Sequence, residues 1–180
     1  MNRALISLPA LVMAGVFAVS GPAMASNPTA SGTLGVSATV ASSISMTFVT
    51  DASGVALGGT GTNAATLAFG SIQAYGGVVP TNATRTVNGT TSFTYSSPFD
   101  INVAEENSAS ATYTLAAALG ATSPDTFAVD ATTLSTSSQT ITATGAYATN
   151  AVHTLALTVP FSVASGTVIN SNVNFTATAN

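Results

Sequence analysis

The 180-residue sequence contains no cysteine, no tryptophan and no lysine, and only 4% of its residues are charged. Without cysteine, the chain has no thiolate nucleophile, no disulfide and no cysteine-ligated zinc or iron–sulfur site. Contacts with the phosphates of a nucleic acid need several lysine or arginine side chains, and the sequence has only Arg3 and Arg85. The composition therefore excludes nucleic acid as a partner.

The first 25 residues have the pattern of a secretory signal peptide. Arg3 precedes an apolar run from Ala4 to Ser20, and Ala23-Met24-Ala25 supplies the small residues that a signal peptidase recognises. We predict cleavage after Ala25 and export through the periplasm of a bacterium to the cell surface or the medium. No second apolar run reaches the roughly 18–20 residues that cross a bilayer, so no transmembrane segment is expected after cleavage.

The rest of the chain has short runs in which apolar residues alternate with polar or small ones, which is the period of a half-buried β-strand. Turn signals such as Asn88-Gly89 and Ser123-Pro124 separate the runs. The clearest runs are 34–40, 44–48, 99–103, 113–119, 155–163 and 173–179. We predict an all-β domain of nine or ten strands in two packed antiparallel sheets over residues 41–180. An N-terminal extension over residues 26–40 contains the first run.

Two runs need a choice between structures. Residues 115–119 (Leu-Ala-Ala-Ala-Leu) are compatible with a helix, but their continuity with Ala-Thr-Tyr-Thr at 111–114 favours a strand. Pro160 interrupts the run 155–163, and a proline has no N–H for the ladder. We therefore expect a bend or a sheet edge at Pro160.

The first and last runs carry no charged residue, although edge strands of monomeric β-proteins are commonly protected by lysine, proline or bulges. One face of the first run consists of Leu34, Val36, Ala38 and Val40, and one face of the last contains Val173, Phe175 and Ala177. Unprotected edges are explained either by strand pairing with another chain or by pairing of the two runs inside one domain. Periodicity alone leaves both open.

Three short segments resemble the secreted spore coat protein U family, which is similar to pilins of the archaic chaperone–usher pathway. They are 36–42 (Val-Ser-Ala-Thr-Val-Ala-Ser), 67–70 (Leu-Ala-Phe-Gly) and 159–167 (Val-Pro-Phe-Ser-Val-Ala-Ser-Gly-Thr). The resemblance implies an immunoglobulin-like sandwich whose N-terminal donor strand completes a neighbouring subunit, with Leu34, Val36, Ala38 and Val40 at the donor positions. Family members usually have a cysteine shortly after the Ala-Thr-Val segment, where this chain has Ser42-Ser43. Their disulfide is therefore absent here.

Residues that could carry chemistry are few. His153 is the only histidine, and no Gly-x-Ser-x-Gly motif accompanies it, so we expect a structural or solvent-facing role at a strand end. A glycosidase needs two facing carboxylates, but aromatic residues for a sugar cleft are scarce. Calcium could use Glu105-Glu106 in a loop, or Asp125 and Asp130 around a short strand, but no EF-hand pattern is present. We predict no catalytic residue, no cofactor and no metal site.

The preferred interpretation is a non-enzymatic, secreted structural subunit of a surface fibre or coat that assembles by β-strand addition. Its partners would be copies of itself or related subunits, together with a periplasmic chaperone and an outer-membrane usher. The alternative is a monomeric extracellular module that binds carbohydrate or calcium, and a secreted hydrolase with paired carboxylates is the third option.

Overall fold

A computed structural model describes residues 30–180, and the predicted signal peptide at 1–25 lies outside this range. The described residues contain nine β-strands and no helix, and so no helix that could span a membrane. The strands are β1 (Ser43–Val49), β2 (Thr84–Asn88), β3 (Ser92–Glu106), β4 (Tyr113–Leu119), β5 (Thr126–Val129), β6 (Thr132–Thr133), β7 (Gln139–Gly145), β8 (Asn150–Pro160) and β9 (Val173–Ala179). The predicted all-β fold is confirmed.

The larger sheet has six strands and is organised around β3. Along most of its length β3 pairs with β8, from Ser92 opposite Pro160 to Asn102 opposite Asn150. The other edge of β3 is shared, because β2 pairs with its first part and β1 pairs with its last part. The order across the sheet is β1-β3-β8-β5-β6, and all pairs are antiparallel.

The smaller sheet has three strands in the order β7-β4-β9, also antiparallel. The two sheets share one apolar core, because alternate residues of each strand face inward. In β3 the inward residues include Phe99, Ile101 and Val103, and in β4 they include Leu115 and Ala117. The molecule is therefore a β-sandwich whose second layer has half as many strands as the first.

The long connection from residue 50 to residue 83 has no named strand, yet it is tied to the large sheet at several points. Ser97 Oγ accepts a hydrogen bond of 2.7 Å from the backbone N–H of Val55, and the Asn82 side chain donates to the Gly54 carbonyl. A Cβ atom on Gly54 would lie 2.0 Å from the Pro98 carbonyl oxygen, so this close approach requires glycine. Phe69 enters the core beside Tyr95.

The strand predictions have a mixed outcome. Residues 113–119 form β4 and not a helix, as expected from their alternation. The predicted first strand at 34–40 is wrong for the isolated chain, because residues 30–42 contain no strand. The alternation in residues 34–40 shows which side chains would share one face of a strand. It does not show whether another strand is available to pair with them. β8 is not an edge strand, because it lies between β3 and β5, but the chain turns after Pro160, where the Val163 N–H donates to the Pro160 carbonyl. The expected bend is therefore present, at the end of β8.

Candidate functional site

The main unfinished feature of the sandwich is the free edge of β9. This strand pairs with β4 over seven residue pairs, from Val173 opposite Leu119 to Ala179 opposite Tyr113. Within residues 30–180, no strand pairs with its other edge. The inward residues Val173, Phe175 and Ala177 are accordingly only half-buried. The candidate acceptor residues thus lie on one inward face of an edge strand.

The hydrogen-bond phase of β9 shows which main-chain groups face the free edge. Just beyond the two ends of the ladder, Gly120 donates to the Asn172 carbonyl and Asn180 donates to the Thr112 carbonyl. Because antiparallel bonding alternates along a strand, the N–H groups of Asn174 and Thr176 point toward β4. Those of Phe175 and Ala177 point outward. The residues with inward side chains are therefore the ones with free main-chain donors and acceptors.

An apolar groove of about 1090 Å³ lies beside this edge, and we call it the open groove. Its base belongs to the large sheet, and its sides are formed by β9, by residues 63–73 and by the β8–β9 connection at 161–172. The base includes Phe93, Phe99, Phe127, Leu155, Leu157 and Val159. No described residue lining the open groove carries a charge. Except for Leu155, each of these base residues is at most 8% exposed, so the walls of the open groove already shield most of its apolar base from water.

Three phenylalanines join the sheets at one end of the open groove. The ring centroids of Phe48 and Phe175 are 5.5 Å apart, and those of Phe99 and Phe175 are 5.8 Å apart, both in edge-to-face geometry. Phe48 lies on β1, and its main chain is held at the outer edge of β1 by two hydrogen bonds: its N–H donates to the Thr62 carbonyl, and the Gly61 N–H donates to the Phe48 carbonyl. The groove is therefore a preformed feature, with rigid aromatic contacts that hold β9 against the larger sheet.

The candidate donor residues are among the strongly exposed apolar side chains of the described residues. Leu34 is 87% exposed, Val36 is 86% exposed and Val40 is 74% exposed, and Ala38 is also exposed. Several exposed apolar side chains within one short segment are typical of segments that bind elsewhere.

His153 is buried and not solvent-facing, which corrects one of the two roles expected from the sequence. It lies on the inward face of β8 at 4% exposure, opposite Phe99. Its Nδ1 is 2.6 Å from Asp130 Oδ2, while Asp130 Oδ1 accepts the backbone N–H of Thr154. His153 Nε2 is buried with no hydrogen-bond partner. The Asp130 carboxylate thus ties the β5–β6 turn to His153 and Thr154 of β8.

The carboxylates are spread over several elements. No three groups among the Asp, Glu and His residues of the described range form a cluster that could hold a metal ion. Burial, followed by the adjacent Asp51 carboxylate, raises the pKa of Asp100 above its ordinary value. Hydrogen bonds from Ser53 lower the pKa of Asp51, which is exposed. Glu105-Glu106, and Asp125 with Asp130, were the two candidate places for calcium, and among the described residues neither belongs to a group of three carboxylate or histidine side chains.

Sequence reasoning identified the β9 face but missed the groove walls. Residues 63–73 and 161–172 contain no alternating run longer than a few residues and no named strand. Their contribution depends on isolated apolar residues, such as Phe69, Phe161 and Ile169, that reach the core from irregular backbone. No periodic signal marks such residues. Only the unusual length of both connections could have indicated them.

Comparison with known proteins gives no relative from which to assign a role. No family model matches the sequence, and neither curated proteins nor solved structures give a match. The likeness to the spore coat protein U family therefore stays a prediction from short motifs. The features that bear on function are the open groove, the free edge of β9 and the exposed residues 34–40.

Proposed function

We propose that this protein is a secreted structural subunit that assembles by strand addition: residues 34–40 of one copy occupy the open groove of the next. The free, uncharged edge of β9 beside the open groove carries this proposal. The chain itself contains an exposed segment of matching pattern. On this proposal the completed sandwich is immunoglobulin-like, and the assembled product is a surface fibre or coat.

The donor segment matches the groove in length and in chemistry. Residues 34–40 and β9 each contain seven residues, so an added strand can pair along the whole edge. Leu34, Val36, Ala38 and Val40 would lie on one face, toward the aromatic and aliphatic base. Gly35, Ser37 and Thr39 would face outward, and neither side of the contact brings a charge that must be desolvated.

Energetics favour a groove that exists before binding. Ordering the segment costs on the order of 1–2 kcal/mol per residue. Burying a leucine or valine returns roughly 1.5–3 kcal/mol, and each main-chain hydrogen bond adds about 1 kcal/mol. These contributions are of similar size, so any cost of opening the acceptor would weaken assembly. The contacts among Phe48, Phe99 and Phe175 are already made in the free subunit, which removes that cost.

The partners follow from the same contact. Other copies of this chain, or related subunits with the same alternation, supply the donor strand. An exported subunit with an exposed apolar groove needs temporary cover before assembly, and a periplasmic chaperone and an outer-membrane usher would supply it. The absence of lysine from the chain is consistent with edges that are not protected against pairing.

The decisive experiment compares the chain from residue 26 with a variant that starts at residue 41. The longer protein is expected to form high-mass species in size-exclusion chromatography and fibres in electron microscopy, and the shorter one a monomer. A synthetic peptide of residues 33–41 should bind the shorter protein and raise its Tm by several degrees, since ligands that bind only the folded state stabilise it. The matched control is the same peptide with Val36→Asp, which should not bind.

The outcome also separates the proposal from its alternative. A longer protein that stays monomeric at high concentration, together with a shorter protein whose Tm is unaffected by the peptide, would overturn assembly by strand addition. That result would favour a monomeric extracellular binding module. Because the chain has no cysteine, Ala38→Cys and Ala177→Cys proteins can be mixed to test proximity directly. A disulfide between two molecules is expected, while Val78→Cys should give none with either partner.

A further inference from the structure

One carboxylate of the sandwich faces the space between the sheets. In β5 the inward side chains are Phe127 and Val129, which are 7% and 0% exposed. Asp125 precedes β5 in the same alternating phase and is only 6% exposed. An acidic side chain therefore occupies an inward position at the end of the sandwich. Such a position is normally apolar, because a charge there loses its hydration.

Among residues 30–180, the Asp125 carboxylate has no hydrogen-bond partner. Its Oδ1 is fully buried and accepts no hydrogen bond, although the Asp125 backbone N–H donates to Ser123 Oγ at 3.1 Å. The described residues include two basic side chains, and both are engaged elsewhere. Arg85 donates to the carbonyls of Gln73 and Gly76, and His153 pairs with Asp130. No cation of the described part of the chain neutralises Asp125.

Asp125 lines a separate cavity of about 360 Å³, which we call the Asp125 pocket. The cavity is formed by residues 120–125 and by the connection 167–172, and it is partly open to solvent. Its polar lining consists of hydroxyl, amide and carboxylate groups from Thr122, Ser123, Asp125, Asn170, Ser171 and Asn172. Ala121, Pro124, Val168 and Ile169 supply apolar walls. Asp125, whose Oδ1 is buried without a hydrogen bond, thus lines a space large enough for a ligand, which would reach the carboxylate through its other oxygen or after a small side-chain rotation.

We propose that the Asp125 pocket binds a primary ammonium group carried on a short carbon stem. A single carboxylate balances a single positive charge, and the three N–H donors of an ammonium match the carboxylate and the surrounding amide and hydroxyl oxygens. The apolar walls accommodate the methylene groups of the stem. The Asp125 pocket and the open groove share residues 167–172 as a wall, but Asp125 and residues 120–124 line the pocket alone, so the inference does not depend on strand addition.

A hard metal ion fits the same pocket less well. Calcium takes six to eight oxygen ligands and usually several carboxylates, but Asp125 is the only acidic residue that lines the pocket. The volume also exceeds that of an ion without its water, since one water occupies about 30 Å³. An ion that kept its hydration shell would gain little from Asp125. An alkylammonium can pair with the carboxylate while its stem contacts the apolar walls.

Burial also raises the pKa of the Asp125 carboxyl above its ordinary value. An ammonium ligand favours the ionised carboxylate, so it should shift the pKa of Asp125 back down. This provides a readout at the carboxyl itself. It can be followed by the ¹³C resonance of Asp125 in a pH titration with and without ligand.

The test uses n-butylammonium as the probe and the chain from residue 41. Calorimetry and NMR are expected to show millimolar binding, a lowered Asp125 pKa, and an at least 10-fold weaker affinity in Asp125→Asn. Glu106→Gln, which removes an exposed carboxylate, is the matched control and should bind as the unmodified protein does. N-acetyl-lysine amide is the second probe. Tighter binding of this probe would identify a lysine side chain as the natural source, and tighter n-butylammonium a free amine.

Three results would overturn the proposal. They are equal affinity for n-butanol, unchanged affinity in Asp125→Asn, and a larger Asp125 shift with CaCl₂ than with n-butylammonium at matched ionic strength. If Asp125→Asn does not fold, the pKa of Asp125 in the unmodified protein decides, because a pKa that n-butylammonium leaves unchanged excludes contact with the carboxylate.

Discussion

β4 and β9 are neighbours in the same sheet, have seven residues each and alternate in the same way, yet they differ in burial. Tyr113 and Leu115 of β4 are fully buried, while Val173 and Phe175 of β9 are half-buried. The difference is the number of neighbours: β4 pairs on both edges and β9 on one. Alternation therefore sets which face turns inward, and pairing sets how far that face is removed from water.

The largest expected effect comes from placing the same charge on each strand. Ala117 of β4 is 1% exposed and contacts the core, whereas Ala177 of β9 is half-buried beside the open groove. Ala117→Asp buries an unpaired carboxylate, and we expect it to cost more than about 4 kcal/mol of unfolding free energy. Ala177→Asp should cost less than about 1 kcal/mol in the isolated subunit, because its carboxylate reaches water along the free edge. Urea denaturation of both variants measures the difference.

The same pair also tests the groove. Ala177→Asp should abolish binding of the 33–41 peptide while the protein stays folded, because the new charge would be desolvated by an added strand. If Ala177→Asp destabilised the protein as much as Ala117→Asp does, Ala177 would already be shielded from water in solution. The proposed difference in burial between β4 and β9 would then be wrong.

An intermediate effect is expected in amide hydrogen exchange along β9. The N–H groups of Asn174 and Thr176 bond to β4, whereas those of Phe175 and Ala177 face the free edge. We expect the first pair to exchange slower by on the order of 100-fold in the isolated subunit. Adding the 33–41 peptide should slow Phe175 and Ala177 alone, and residues of β4 serve as the internal control. Equal protection of all four amides without peptide would contradict a free edge.

The smallest expected effect is the change of Tm with pH, which depends on buried carboxyl groups that lie outside β4 and β9. Burial raises the pKa values of Asp100 and Asp125, so each binds its proton more tightly when the chain is folded. Their stabilising contribution is complete below the ordinary pKa, about 4, and is lost as pH rises through the raised values. Tm should therefore fall slightly between pH 4 and pH 7 as far as these two groups determine it.

The variants Asp100→Asn and Asp125→Asn isolate that contribution. Each variant should reduce the fall in Tm over this pH range, since an amide does not ionise. Hydrogen exchange in β4 and in β9 should change with pH to the same extent, because neither strand contains a carboxylate. Glu106→Gln, which removes an exposed carboxylate, is the control. A pH profile that neither Asp variant changes would show that burial does not set these pKa values.

Alternation in the sequence was sufficient to predict the all-β sandwich, the strand at β4 and the inward face of β9. It could not predict that residues 34–40 lack a strand. Alternation shows which side chains share a face, but it does not show whether a neighbouring strand is available for main-chain pairing. The position of His153 was also inaccessible, since its partner Asp130 lies in a turn that places Asp130 and Ala131 at positive φ. Neither residue is a glycine, so the turn has no sequence signal. The inward position of Asp125 could not be predicted either, because it follows from the alternation of β5, which begins at Thr126.

The central position of β3 has a consequence for how the molecule is made. β1 must pair with the far end of β3, Ser43 opposite Glu106, and β3 must pair with β8, Ser92 opposite Pro160. Contacts between such distant positions form slowly, because long loops must close first. A nascent chain that has reached residue 140 contains β3 in full but none of β8. Because β8 joins β3 to β5, the large sheet stays in two separate parts until synthesis is almost finished.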